Sequence, residues 1–577
     1  MRPASWFLLY VLVFFYAQHY FAYDYFYAEQ FEFFRFSRDY ALETICQWGG
    51  LASYLSAFLV QFFVIPGVGA AVAAGLFVAV AWEWRCIWKK LASSDALFLF
   101  YLLPSLWLLW VGTDFNYYWS CAIGLWIALW LLRLCLSIPS AKWRLLGMAV
   151  LFLPGYYALG PWMLLSALGV ILAGLCSRHW MFGGLLLWCI LGICIFHYAG
   201  AVAEGRFLWT LDAYYCPKLA FPAAGWYMVA VCLLNMVLAL GLPRGIRMRG
   251  MWTWLSPFVQ CALLVFICYK GTPQFYSVQN GIAKQLDYYA RTGQWQKILD
   301  LPGLRADANL MHACYQNLAL AELDRLGDDL LHYRQCGSRG LVLPWNRSHA
   351  SSTLLSDVYY CMGNMALAQE MAFEGMVVSK NGLTPRLLLR LVQTNLIYGY
   401  DAVAEKYIRL LEDTWAYASE ASHYRQFLHH PERLEADAEL GGRKRCMEKT
   451  GGVTNDHQVM ENLLQIMRSN PSWRPAHQYY GAICLLNKDK EGIANFLEKY
   501  GEAPALHPMP QAFQEAVILV HEKEEEVWSN YGVSPEVATR FKAYRQAVLA
   551  TRNDRNAVRK LQREFGDTYW FYYMFMR

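Results

Sequence analysis

The chain has 577 residues, a formal net charge of +5, and a composition that is 57% hydrophobic and 16% charged. Residues 1–270 hold only 16 of its 50 Lys/Arg and 10 of its 45 Asp/Glu, far below the roughly one-quarter charged share of a soluble domain, whereas the remainder is ordinary in this respect. The positive excess lies in the apolar part and the polar part has no basic stripe, which sets nucleic acid aside as a partner.

In chain order, the first apolar run, Trp6 to Tyr23, is long and aromatic and no small-residue cleavage site follows it, so it reads as a membrane anchor. About 20 apolar residues are needed to cross a bilayer. Crossings are expected over 5–23, 67–84, 96–112, 117–137, 180–200, 222–241 and 252–270. The stretch 144–177 accommodates two more, divided at Pro154-Gly155 and Gly160-Pro161, which brings the expectation to nine.

Residues 30–65 read differently. Glu32, Arg35, Asp39 and Glu43 form a polar stripe, with Phe33, Phe34, Phe36, Tyr40 and Ile45 away from it. After Gly49-Gly50, Leu51, Tyr54, Leu55, Phe58, Leu59 and Phe62 share one helical face, and Ser53, Ser56 and Gln61 interrupt the other. Two amphipathic helices lying along the membrane interface are expected. With the N-terminus in the cytoplasm, the loops carrying Arg85, Lys89, Lys90, then Arg133, Lys142, Arg144, then Arg178, and then Arg244, Arg247, Arg249 all face inward, as the positive-inside rule requires. Reading 48–66 as a tenth crossing fits the same loops only with the N-terminus outside. Both versions place the C-terminal part outside the cytoplasm.

From 271 onward the pattern is helix–turn–helix. A first soluble part is expected over 271–430, an exposed loop over 431–456 around "GGRKRCMEKTGG", and a second soluble part over 457–577. "YYARTGQWQKIL" (288–299), "YYCMGNMALAQEMA" (359–372) and "NLIYGYDAVAEKYI" (395–408) share one layout: a helix, a Gly-containing turn, and a helix opening on small or apolar residues. This is the plan of degenerate tetratricopeptide-like repeats, which often present a concave face to a protein partner. The fold class is therefore all-α: a polytopic membrane domain over 1–270 followed by a helical repeat domain. No Cys or His spacing reads as a metal site, and the sequence identifies no cofactor. Cys314, Cys336 and Cys361 are candidates for a disulfide if their domain is extracytoplasmic.

Five segments carry a resemblance to a known family: "AEQFEFFRFSRDY" (28–40), "GGLASYLSAFLVQFF" (49–63), "NLALAELDRLGDDLLHY" (317–333), "SDVYYCMGNMALAQEMAFEGMVV" (356–378) and "FGDTYWFYYMF" (565–575). They resemble uncharacterised multi-pass membrane proteins of Bacteroidetes, classed as a domain of unknown function. The resemblance implies a Gram-negative envelope location and supplies no established activity; together with the loop charges it gives a bacterial inner-membrane protein with a periplasmic C-terminal domain. The architecture also resembles that of GT-C glycosyltransferases, which begin with a cytoplasmic N-terminus and one crossing. In that family an outer loop with an acidic residue and interfacial helices follows, then further crossings and an external domain.

That second resemblance implies sugar transfer from a polyprenyl-phosphate-linked donor. The acceptor hydroxyl needs a base, for which Asp24 and Glu29, just after the first crossing, are the candidates, with Gln30 as a hydrogen-bonding neighbour. The leaving phosphate needs a cation or metal. Asp114 and Asn116 lie in a second outer loop, and Glu204, Arg206, Asp212 and Lys218 in a third, where Arg206 is the expected phosphate contact. The alternative for each acid is a solvated interfacial side chain. A second function class is a non-enzymatic scaffold anchored in the lipid bilayer, whose repeat domain binds a periplasmic protein. A transporter ranks third, because charges cluster at helix ends and not at mid-membrane. No GxSxG, Walker loop or Rossmann fingerprint is present.

Overall fold

The structure is a computed structural model that describes residues 3–92, 96–202, 204–215, 221–241, 251–304, 308–379, 382–447, 458–551 and 555–576. Among these residues the only β pairing is an isolated antiparallel bridge between Tyr117 and Tyr215. The chain forms two compact units. The first comprises Met1–Lys284 together with 379–385 and 410–419, and the second comprises the rest.

The first unit contains α1 (Pro3–Ala28), α2 (Arg38–Ile45), α3 (Gly50–Val60), α4 (Val68–Leu91), α5 (Phe98–Val111), α6 (Ser120–Ser137), α7 (Ala141–Leu159), α8 (Trp162–Cys176), α9 (Gly183–Tyr198), α10 (Ala223–Gly241), α11 (Trp252–Phe275) and the first half of α12 (Val278–Arg291). A helix occupies every stretch expected to cross. Among the described residues, six are long and apolar enough to do so: α1, α4, α6, the run Trp180–Tyr198 that ends in α9, α10, and Leu255–Phe275 of α11. The helices α5 and α8 have 14 and 15 residues. Helix α7 has 19 and is broken at Gly160, whose backbone (φ 67°, ψ −149°) suits glycine alone.

Contacts along the helices fix their directions. Tyr25 of α1 packs on Gly69 of α4, and Trp6 of α1 lies under the Arg85 guanidinium of α4, so these two run antiparallel. Trp119, just before α6, touches Tyr25, whereas Arg133 near the end of α6 pairs with Glu83, so α6 runs with α4. Ser166 of α8 donates to the Ala128 carbonyl of α6 and Leu132 packs on Gly169, so α8 runs with α6. Trp188 of α9 donates to the Ala149 carbonyl and Phe152 packs on Gly192, so α9 runs with α7. Tyr16 meets Thr272 and Phe21 meets Tyr276, so α11 runs with α1. These contacts run α1 and α11 one way, α4, α6 and α8 the other way, and α9 parallel to α7. Ala70, Ala73, Ala74 and Ala81 bury the face of α4 at the centre, where small side chains let helices approach closely.

The segment 30–65 departs from expectation. Its first part is not a helix: α2 starts only at Arg38, and Phe31, Phe33 and Phe34 are buried in irregular chain. Glu32, expected in an exposed stripe, is buried. Its carboxylate accepts from Ser56 Oγ and from the Trp119 backbone N–H at 2.5 Å. Helix α3 is turned over relative to expectation. Ala52, Ser56, Ala57 and Val60 face inward, while Phe58 is exposed and Leu51, Tyr54, Leu55 and Leu59 are half-buried. The physical reason is that the small and hydroxyl-bearing face lets α3 approach its neighbours closely.

The second unit is built from helix pairs. The three turns read in the sequence are present, with Gly293, Gly363 and Gly399 all left-handed (φ 66°, 93° and 76°). In each, the next residue's N–H reaches back to a helix carbonyl: Gln294 to Tyr289, Asn364 to Tyr359, and Tyr400 to Asn395. Two further pairs use the same turn without glycine. Asp324 (φ 61°) precedes an Arg325-to-Leu320 bond, and Lys488 (φ 56°) precedes an Asp489-to-Cys484 bond. The expected exposed loop at 431–456 is corrected in its described part. Pro431–Ala436 and Leu440–Lys444 are short helices, and Leu434, Leu440 and Cys446 are buried. Arg443 is buried because its guanidinium lies over the Tyr360 and Trp473 rings at 4.1 and 5.5 Å. Residues 448–456 lie outside the described residues. Cys314, Cys336 and Cys361 form no disulfide; the first and last are buried as single thiols, and burial pushes the Cys314 thiol up to about 12.

The last helix of the unit, Tyr569–Phe575, docks on Glu515. The buried Glu515 carboxylate accepts from the Tyr569 N–H at 2.6 Å and from Gln511, yet burial outweighs these bonds and pushes its pKa up to about 7. A carboxyl whose folded-state pKa lies above its unfolded value of about 4.5 favours the folded state at low pH. That contribution is complete below about pH 4.5 and is lost as pH rises through about 7, a difference of about 3 kcal/mol. Hydrogen exchange at 569–575 is therefore expected to quicken as pH rises from about 4.5 to about 7, beyond the intrinsic pH dependence of exchange. Glu515→Gln should abolish that excess, and an unchanged excess in the variant would refute the assignment.

Candidate functional site

One end of the first unit, where α1 finishes and α4 and α6 start, carries a cleft of about 500 Å³. Its walls come from four places in the chain: Gln47 and Trp48 between α2 and α3, Tyr118 before α6, Tyr157 near the end of α7, and Phe207, Asp212 and Tyr215 between α9 and α10. These segments are held together by backbone and phenol bonds. The Gly49 N–H donates to the Tyr157 carbonyl at 2.8 Å, and the Tyr157 hydroxyl donates to the Cys46 carbonyl at 2.5 Å. The Tyr118 N–H donates to the Tyr214 carbonyl at 3.1 Å. The Tyr156 and Tyr214 hydroxyls donate to the Leu208 and Leu159 carbonyls. Burial holds the Tyr214 phenol well above its usual range, so it stays a neutral donor. Gly160 is needed here twice over: its φ is positive, and a Cβ would stand 3.0 Å from the Tyr214 hydroxyl.

The chemistry on these walls is aromatic, with one carboxylate. Asp212 is half-buried; one oxygen accepts from Thr210 Oγ1 at 2.8 Å and the other from the Phe221 N–H at 3.3 Å. Trp48 packs edge-on to Tyr156 with ring centroids 4.5 Å apart, and Tyr157 stacks on Phe196. Asp114 lies behind the wall, accepting from the Tyr215 hydroxyl at 2.6 Å and the Asn116 N–H at 2.9 Å. Arg206 and Glu204 form an exposed ion pair at 2.6 Å on the same segment, and the Arg206 guanidinium lies 5.1 Å over Phe207.

The structure therefore brings four of the expected residues (Asp114, Glu204, Arg206 and Asp212) to or beside one cleft. Lys218 lies outside the described residues. Asp24, Glu29 and Gln30 are not among its lining residues. Asp24 is buried and its carboxylate receives the Lys284 ammonium at 2.6 Å. Glu29 is 2% exposed, and both its oxygens lie 2.9 Å from the Tyr417 hydroxyl, which donates to the carboxylate. Gln30 is 1% exposed. A base must meet its substrate's proton, and these enclosed acids instead tie distant stretches of the first unit together. The wall residues Gln47, Trp48, Tyr118, Tyr157 and Tyr215 carry no spacing signal that would single them out.

Among the described residues no three His, Cys, Asp or Glu side chains gather in a way that holds a metal ion. The defining sequence pattern of a family of unknown function, DUF6057, matches residues 1–576. The chain belongs to this family. No curated protein and no solved structure matches it. Membership in DUF6057 covers both units and brings no activity with it, so the chemistry of the cleft rests on its own residues.

Proposed function

We propose that this chain is a nine-crossing inner-membrane protein that transfers a sugar from a lipid-linked phosphate donor to an acceptor hydroxyl, in the manner of GT-C glycosyltransferases. One observation carries the reading: an aromatic-walled cleft with a single lining carboxylate, Asp212, lies at one end of helices apolar enough to cross a membrane. Sugar rings stack on such aromatic faces, and a prenyl chain reaches the cleft along the apolar helices. Asp212 accepts the acceptor hydroxyl's proton. The freed oxygen attacks the anomeric carbon, and the bond from that carbon to the phosphate oxygen breaks with its electron pair going to the phosphate. Arg206, beside the cleft, neutralises the leaving phosphate. The opposed directions of α1 and α11 against α4, α6 and α8 support a bundle of nine crossings, and the basic loops support a cytoplasmic N-terminus with the cleft on the outer face.

Purified full-length protein is expected to consume a radiolabelled polyprenyl-phosphate sugar. Asp212→Asn should lower the rate by about 10²- to 10⁴-fold without changing the melting temperature. Undiminished turnover in that variant, or no consumption by the wild-type chain across common sugar donors, would overturn the reading.

The five matched helix turns of the second unit favour a second reading, in which tetratricopeptide-like repeats hold a periplasmic protein. Crosslinking through residues 280–520 should then recover one defined partner. A chain that stays uncrosslinked in intact cells counts against it.

A further inference from the structure

The end of the first unit opposite the cleft carries a groove of about 520 Å³ between α1, α4 and α6, all three apolar and long enough to cross a membrane. Gly75, Val78 and Ala79 of α4 form its floor, and a Cβ placed on Gly75 would meet nothing within 4 Å. Trp6, Trp82 and Trp126 stand around it, with Trp6 and Trp82 edge to face at 5.3 Å. Trp6 and Trp82, at the Arg85 end, stand where indole groups settle at the level of lipid headgroups, and Trp126 lines the side midway along α6. The apolar surface continues outward from the groove, since Phe7 and Leu8 of α1 and Trp130 of α6 are exposed.

The charges at the mouth are ordered. Glu83, which lines the groove, receives the Arg133 guanidinium at 2.6 Å and is thereby neutralised. The Arg85 guanidinium lies 5.8 and 5.5 Å above the Trp6 and Trp82 rings. Lys89 and Lys90 are exposed in the last turn of α4. Among the described residues toward this end of α4, Arg85, Lys89 and Lys90 leave a net positive charge once Glu83 is paired with Arg133, while the floor is uncharged.

We infer that this groove is a binding site for an anionic glycerophospholipid. One acyl chain lies over Gly75, Val78 and Ala79, and the headgroup phosphate sits toward Arg85, Lys89 and Lys90. An apolar slot ending in indoles and a net positive rim matches a ligand with a hydrocarbon tail and a negative head. A soluble peptide has no reason to enter a slot between helices that face lipid. Lipid retention requires no sugar transfer, so this assignment stands or falls separately from the proposed activity.

Native mass spectrometry of the full-length protein in detergent, with phosphatidylglycerol, phosphatidylethanolamine or phosphatidylcholine added at equal concentration, tests it. Phosphatidylglycerol is expected to be retained at least tenfold more than phosphatidylcholine. Gly75→Leu, which fills open space and improves helix propensity, should cut that retention about tenfold at an unchanged melting temperature. The exposed double change Lys89→Gln/Lys90→Gln should reduce the preference for phosphatidylglycerol while leaving the fold intact. Equal retention of the three lipids by the wild type, or full retention by a folded Gly75→Leu variant, would overturn the assignment.

Discussion

Replacing Lys284 by methionine is expected to destabilise the first unit by about 3–5 kcal/mol, the usual cost of stranding one member of a buried ion pair. Lys284 is 1% exposed and its ammonium donates to Asp24 and to the Thr113 carbonyl, with the Phe115 and Tyr27 rings 4.8 and 5.7 Å away. Methionine keeps the length of the side chain and removes all of these interactions, leaving the Asp24 carboxylate enclosed without its cation. Removing both charges, as Asp24→Asn with Lys284→Met, should restore most of the loss, since an apolar or neutral pair avoids the desolvation cost altogether. Thermal unfolding in detergent micelles across this double-mutant cycle measures the coupling. A Lys284→Met variant that melts with the wild type would show that the pair contributes nothing.

The second large effect is expected at Arg386. One guanidinium nitrogen donates to Asp287 and the other to Asp357, while Arg390 holds the second oxygen of Asp357 at 2.9 Å. Tyr315 also donates to Asp287 at 2.9 Å. Arg386→Met leaves two enclosed carboxylates short of a cation, with an expected loss of about 3–5 kcal/mol. Arg386→Lys should recover only part of it, because a single ammonium does not reproduce the flat fork that spans both acids. Hydrogen exchange on the full-length protein should show faster exchange in the helices 278–291, 349–362 and 385–398 together, since the network joins all three. Faster exchange confined to 385–398 would contradict a shared network.

The candidate site was legible only in pieces. The loops bearing Asp114, Glu204, Arg206 and Asp212 were readable because they interrupt apolar runs. Trp48, Tyr118 and Tyr157 look in sequence like any other interfacial aromatic, and only packing puts them on one cleft. Glu32 shows the opposite failure. Helical spacing placed it with Arg35 and Asp39 on a polar stripe, but the backbone is not helical there and Ser56 and Trp119 capture its carboxylate. Helix-ending turns are legible in sequence where glycine marks them, at 293, 363 and 399. Asp324 and Lys488 adopt the same left-handed backbone with no glycine to mark it.

By itself the sequence determined the all-helical class, the positions of the apolar helices and the change in character near residue 270. Each of these follows from local composition and period, which a window of about 20 residues contains. The tertiary structure alone decided which acids are enclosed, which face of α3 turns inward, and that Lys284 and residues 410–419 belong with the first unit. Asp24 finds its cation 260 residues away and Glu29 its phenol 388 residues away. Pairings at that distance are set by packing and by the cost of leaving a buried charge alone, and no local pattern records them.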